Sequence, residues 1–218
     1  MKFARQQSLK YWDNWYSEKH TDNVIMDDWL ERFSTIIDNC DGTILDIGCG
    51  RGNDTKYFIE KGKKVIACDQ SPNAITYIKD SFPEVYETRC FNFLDGFDFD
   101  DLSFDIICAD LCLHYFSMAD TDYILEELNR IMKSDGHLFV RVNSLKDTLH
   151  GAGQGPEIEK HLYQMEDGTI KRFFDSEDIE DIFSDFDIQF CEEQSMDRYS
   201  KPKTVFTLHL RKKQTATD

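Results

Sequence analysis

Positive charge is scarce in this chain: 25 lysines and arginines stand against 42 aspartates and glutamates, a formal net charge of −17 over 218 residues. A surface of that sign repels phosphate backbones and anionic lipid headgroups, so composition argues against a nucleic-acid or membrane partner. The one obvious basic cluster, residues 211–213, reads as a solvated end. Long apolar runs are missing too. The opening MKFARQQSLKYWDNWY has no apolar stretch of signal-peptide length, and nothing later approaches the ~20 apolar residues of a membrane span. Only four prolines are present, with no Pro/Gly/Ser linker and no internal repeat, which predicts one domain. The seven cysteines form no CxxC pair, and Cys68, Cys90 and Cys108 lie in apolar, strand-like runs; they read as reduced thiols of a cytoplasmic protein. The six histidines show no HExxH or comparable spacing, so no metal is expected.

What is present is an alternation of strand and helix patterns. Two helical stretches open the chain. Asp27-Asp28 is placed to cap the second, whose Trp29, Leu30, Phe33, Ile36 and Ile37 share one face. Strands are expected at 43–47, 64–69, 85–90, 104–109 and 137–143, with helices at 54–60, 72–80 and 120–133 between them. Short apolar strands alternating with helices imply right-handed crossovers and a parallel sheet covered on both faces. After Ser144 the chain turns polar, with GAGQG at 151–155, and then a helix from about Asp175-Ser176 and two closing strands, 187–194 and 204–210, complete it. The 145–172 segment is too long for an ordinary connector and is either functional or partly mobile.

Residues 43–54 read TILDIGCGRGND, with three glycines on alternate positions directly after a strand. Glycine is costly in ordered structure, so such a cluster marks a sharp turn or a backbone that a ligand approaches closely. A dinucleotide fingerprint reads GxGxxG; here Gly48, Gly50 and Gly52 give GxGxG, preceded by Asp46. Asp69 ends the next strand about 20 residues on, the position of an acid that holds ribose hydroxyls. The plain alternative is a tight turn followed by a helix cap.

LDIGCGRGND followed by VIACDQSPNAI resembles the first motif and companion acid of class I S-adenosylmethionine-dependent methyltransferases. FDIICADLCLHYFS resembles their fourth-strand segment and LNRIMKSDGHLFVRVNS their fifth; the likeness runs over about residues 40–145. The resemblance implies an α/β, three-layer Rossmann-like sandwich. Its seven-stranded, mostly parallel sheet would run 3-2-1-4-5-7-6 with the last strand antiparallel. It also implies S-adenosylmethionine as cofactor, with Gly48 and Gly50 under its methionine part and Gly52 completing the loop. Asp46 would orient the loop, Asp69 would hold the ribose and Gln70 would lie against the adenine. The adenine-contacting acid of the family is absent, and Asn92 is the nearest match. Asp110 and Leu111 would flank the methionine and the methyl group. The aromatic run Tyr11, Trp12, Trp15 and Tyr16 resembles the family's helical lid, with Trp12 toward the sulfonium. The implied organisation is a single methyltransferase domain: lid 1–40, core 41–145, substrate-loop insertion 145–172, closing helix and hairpin 173–211.

Methyl transfer needs alignment and a dry pocket, with a base only if the acceptor carries a proton. His114 is the first candidate base, with Asp110 beside it at the same strand end. Arg141, Asn143, Gln154 and Tyr163 are the candidate substrate contacts, with Lys146, Glu157, Glu159 and His161 nearby. The acidic composition and the lid-like insertion predict a small-molecule acceptor, with no nucleic acid and no membrane. The stretch after the fourth strand also resembles small methyltransferases of the tellurite-resistance and metabolite type. Two other readings stay open: a Rossmann-type NAD oxidoreductase, and a non-catalytic module that binds S-adenosylmethionine for regulation. The oligomeric state is not legible.

Overall fold

The strand that begins the glycine segment is almost wholly buried, and the rest of the molecule is arranged around it. In the computed structural model, which describes residues 2–17 and 27–213, Thr43–Ile47 forms β1. Its neighbours are β2 (Lys64–Asp69) and β4 (Phe104–Asp110), both parallel to it. β3 (Glu87–Cys90) adds outside β2, and β5 (Met132–Asn143) outside β4. The antiparallel β10 (Lys203–Lys212) lies on β5, and β9 (Phe186–Met196) closes that edge. The order β3-β2-β1-β4-β5-β10-β9 is the expected 3-2-1-4-5-7-6, because three short strands intervene before the last pair.

Side chains alternate across this sheet, as a two-residue period requires. Ile44, Ile106, Cys108 and Phe139 pack on one face with Trp29, Phe33, Ile37 and Phe58, from the 29–38 segment and α3 (Asn53–Glu60). Leu45, Ile47, Ile107 and Leu138 pack on the other with Ile124, Leu128 and Ile131 of α5 (Met118–Ile131) and Ile179 of α6 (Ser176–Ile182). Both faces are therefore covered, giving three layers.

Helix starts follow local chemistry. Ser71 caps α4 (Pro72–Ser81), its hydroxyl accepting from the Ala74 N–H at 3.2 Å, with proline in the first turn. Asp175 and Asp178 form a reciprocal capping box at α6. Asp28 makes no side-chain cap on the 3-10 turn Trp29–Phe33 that leads into α2 (Ser34–Asp38). The neighbouring Asp27 is drawn instead to two arginines of the sheet edge.

The 145–172 segment is more ordered than its composition predicts. It contains a small antiparallel sheet of β6 (Glu157–Glu159), β7 (Leu162–Gln164) and β8 (Ile170–Arg172). Leu162, Phe173 and Arg172 are buried beneath it, and Arg172 donates to the Lys160 carbonyl at 2.7 Å and to Glu159 at 2.7 Å. The first helix, α1 (Lys2–Ser17), is fastened to the start of α4 by Asp13. Its carboxylate accepts from the Ser71 hydroxyl at 2.6 Å and from the Asn73 side chain at 3.0 Å.

Candidate active site

The glycine loop meets the end of β2 through one acid. Gly48, Gly50 and Gly52 have φ of +65°, +51° and +78°, a region that side chains with a Cβ rarely adopt. This turns the chain tightly enough for the Gly50 N–H to donate to Asp69 Oδ2 at 3.0 Å, while the Ser71 N–H donates to Oδ1 at 2.9 Å. Burial raises the Asp69 carboxyl, and those main-chain donors oppose the shift. A Cβ on Gly50 would lie 2.5 Å from Tyr16 Oη, and one on Gly48 would lie 2.5 Å from Cys112 Cβ. The loop is thus packed closely between α1 on one side and the end of β4 on the other, and a Cβ on Gly52 would likewise run into Ile78 and Phe82. Gly48 also lines a cavity.

Trp12, Gly48, Asp69, Gln70, Asn92 and Leu111, all singled out in the sequence, line a single crevice of about 70 Å³ at the carboxyl edge of the sheet. Leu111 holds φ +54°, a strained value for a non-glycine residue, with its N–H tied to the Arg141 carbonyl at 3.0 Å. Asn92 donates to Gln70 Oε1 at 2.8 Å and accepts from the Leu94 N–H at 3.0 Å, which links the two residues assigned to adenine. A second cavity of about 410 Å³ adjoins the crevice and shares Trp12, Asn92, Tyr115 and Phe116 with it. Tyr115 and Phe116 were not singled out, although they follow His114 directly at the end of the fourth-strand motif.

The remaining predicted residues lie elsewhere. Asp46 is buried under the loop and accepts from the Thr55 hydroxyl; burial and the nearby Asp54 raise its carboxyl. Asp110 is gripped by Arg141 and Arg198. Arg141 Nε and Nη2 donate to its two oxygens at 2.6 and 2.8 Å, and Arg198 Nη1 donates at 2.7 Å. Burial alone would raise Asp110, but the two guanidinium groups overcome it and hold the carboxyl below the usual range. A carboxylate so held is a poor proton acceptor. Both arginines also bind Asp27, at 2.6 and 2.9 Å, and Arg141 stacks over Trp29 at 4.5 Å. Arg141 is 1% exposed, so its fork is spent within the protein. Arg198, in the β9–β10 connection, carried no sequence signal.

His114 is also buried, with neither ring nitrogen hydrogen-bonded, and burial, helped by Lys203 and Lys171, keeps the ring neutral. Asn143 is fully buried with its amide unpartnered. Gln154 donates to the Thr148 carbonyl at 2.7 Å on the exposed insertion, and Tyr163 packs on Phe173. His114, Arg141, Asn143, Gln154 and Tyr163 line neither of the two adjoining cavities. Among the described residues, two groups have carboxylate, thiol or imidazole atoms close enough to hold a cation, Asp46–Asp54–Cys108 and His161–Asp175–Asp178. Their oxygens already serve Thr55, Trp29, Lys160 and the α6 cap. No helix among the described residues is long and apolar enough to cross a membrane.

Residues 45–140 match the family model described as a methyltransferase domain. The chain is 27% identical over 192 residues to the tRNA N(3)-methylcytidine methyltransferase trm141 of Schizosaccharomyces pombe, covering 80% of this chain and 77% of that one. It is 25% identical over 197 residues to the human tRNA N(3)-cytidine methyltransferase METTL6, covering 83% and 69%. Among solved structures it resembles 1,6-didemethyltoxoflavin-N1-methyltransferase from Burkholderia thailandensis. That match has a TM-score of 0.70 at 19% identity over 98% of this chain and 89% of that one, a likeness of fold. The relatives overturn the expectation of a small-molecule acceptor with no nucleic-acid partner, because the curated relatives that this sequence matches are named for acting on tRNA. That expectation leaned on net charge, which sums the whole surface and says little about one cleft. With the glycine loop, the β2 acid and the seven-stranded order together on one sheet edge, the chain has the fold of the S-adenosylmethionine-dependent methyltransferases, and its residues 45–140 match a methyltransferase domain.

Proposed function

We propose that the chain transfers a methyl group from S-adenosylmethionine to a ring nitrogen of an RNA base, with a cytidine of tRNA as the first acceptor to test. The observation that carries this reading is the shared wall of the two cavities. A crevice lined by Gly48 and Asp69 adjoins a larger, aromatic-walled one of about 410 Å³. The names of the relatives supply the acceptor.

The crevice residues fit the cofactor. Gly48 presents main chain to the crevice, Asp69 keeps lone pairs for a ribose, and the faces of Trp12 and Tyr16 suit a sulfonium. When bound, S-adenosylmethionine supplies an activated methyl carbon. The chain's part is to orient and to exclude water. Asp69, held by the Gly50 N–H, fixes one end of the crevice. Leu111 and Cys112 form its floor at the end of β4, and Trp12 and Tyr115, ring centroids 5.0 Å apart, stand at the junction of the two cavities. A base entering between aromatic rings gains stacking worth ~1–3 kcal/mol. With a net charge of −17 the long-range field opposes RNA, so binding must rest on local contacts.

The test is to incubate the protein with tRNA and S-adenosylmethionine carrying a labelled methyl group, digest the RNA and identify nucleosides by mass spectrometry. Labelled 3-methylcytidine supports the proposal. Absence of label in RNA, with S-adenosylhomocysteine binding intact by calorimetry, overturns the acceptor.

A further inference from the structure

The larger cavity has walls of two kinds. Tyr11, Trp12, Tyr115 and Phe116 give it flat apolar sides, with Tyr11 edge-on to Trp12 at 5.1 Å and Trp12 edge-on to Tyr115 at 5.0 Å. Among the described residues its charged lining is Lys10, Asp120 and Asp167. Asp120 Oδ2 accepts from the Ser117 hydroxyl at 2.8 Å, near the start of α5. Asp167 sits in the β7–β8 turn, which reaches across to α1. Its Oδ1 accepts from the Thr169 N–H at 2.9 Å and the Thr169 hydroxyl at 2.6 Å, and the nearby Tyr11 hydroxyl favours its ionised form. Burial would raise the Asp167 carboxyl, but Thr169, Tyr11 and Lys171 outweigh it and keep the group ionised.

We infer that this cavity takes a planar ring whose nucleophilic nitrogen is uncharged, and that Asp167 stabilises the positive charge methylation leaves on that ring. The inference rests on the proposed reading and deepens it. In the transfer, the ring-nitrogen lone pair forms the new N–C bond. The C–S bond breaks with its electrons going to sulfur, the sulfonium becomes a neutral thioether, and the ring becomes the cation. No proton moves in that step. Charge therefore passes from the crevice into the larger cavity, where a fixed carboxylate rewards its arrival. An alcohol, phenol or thiol acceptor would have to lose a proton and would end neutral. For those acceptors an ionised, weakly basic carboxylate offers little, and the neutral ring of His114 lies outside both cavities. The aromatic walls act in the same direction, since a cationic ring is held more strongly against aromatic faces than its neutral parent.

The probes are cytidine and 3-methylcytidine, the second a cation at neutral pH, titrated into the full chain with S-adenosylhomocysteine present and tryptophan fluorescence as readout. The wild-type protein should bind 3-methylcytidine about five- to twentyfold more tightly than cytidine. Asp167→Asn should erase most of that preference while leaving cytidine and S-adenosylhomocysteine affinities within about twofold, and Asp167→Glu should restore part of it. Equal wild-type affinity for the two nucleosides overturns the inference, whether or not the variants fold; so does a preference unchanged in Asp167→Asn. The two proposals fail separately. A cation preference without tRNA methylation would sink the RNA acceptor alone, and tRNA methylation without a cation preference would sink the role of Asp167 alone.

Discussion

Arg141 holds Asp110 through two parallel hydrogen bonds, Nε to Oδ1 at 2.6 Å and Nη2 to Oδ2 at 2.8 Å, 31 residues apart in sequence and side by side at the ends of β5 and β4. Both side chains are under 10% exposed, and Arg198 and Asp27 complete a four-membered charge cluster behind Leu111. Breaking a buried pair by removing one partner strands the other charge, at about 3–5 kcal/mol. Arg141→Met should therefore destabilise the protein by that amount in urea unfolding, because Arg198 alone cannot satisfy two carboxylates. A loss below about 1 kcal/mol would show the cluster to be hydrated and weak.

Asp69 offers a test of the crevice. Its two oxygens already accept from Gly50 and Ser71, so Asp69→Asn keeps the shape but gives up charge and acceptor capacity. S-adenosylhomocysteine affinity should fall by about 1–3 kcal/mol, roughly five- to 150-fold, by calorimetry. Unchanged affinity would mean that the ribose is held elsewhere.

Gly50 tests the loop and the lid together. At φ +51°, a side chain costs about 1–2 kcal/mol in backbone strain, and its Cβ would sit 2.5 Å from Tyr16 Oη. Gly50→Ala should lower the Tm and weaken S-adenosylhomocysteine binding. Adding Tyr16→Phe, which removes the colliding oxygen, should recover part of the Tm loss. No recovery would show that backbone strain, not the collision, sets the cost.

The strand–glycine–helix unit was legible because its signals are local: three positive φ values in five residues can hardly be met by anything but glycine. Asp69 and Leu111 follow from the same logic, since strand ends at one sheet edge converge. Pairings across the fold were not legible. Asp110 and Arg141 each looked like a site residue from its position, and nothing in either segment shows that they neutralise each other. Asp27 looked like a helix cap, because the pull of Arg141 and Arg198, more than 100 residues away, leaves no trace nearby. The insertion read as loop because its strands are three residues each, too short for alternation to register. β5 was expected from His137 but begins at Met132, where the Asp135-Gly136 signal marks an irregular register against β4 rather than a connector.

A last prediction concerns acid stability at the β5–β10 contact. His137 Nδ1 and His209 Nε2 lie 2.8 Å apart, one ring donating to the other, with Phe139 beside both. Burial pushes His209 down to about 4, and His137 and Arg211 push it the same way; burial also lowers His137. An unfolded histidine titrates near 6.5. Between about pH 4 and 6.5 the unfolded chain therefore binds a proton that the native His209 refuses, so this pair adds stability as pH rises and loses it as pH falls through that window. Asp54, which burial and Asp110 push up to about 7, contributes with the opposite sign over much of the same range. The total slope is thus ambiguous, and the difference between wild type and His209→Phe isolates the pair. The variant should lose about one proton of linkage between pH 4 and 6.5, read from urea midpoints at four or five pH values. Parallel curves for the two proteins would mean that the imidazole pair stays hydrated and titrates like free histidine.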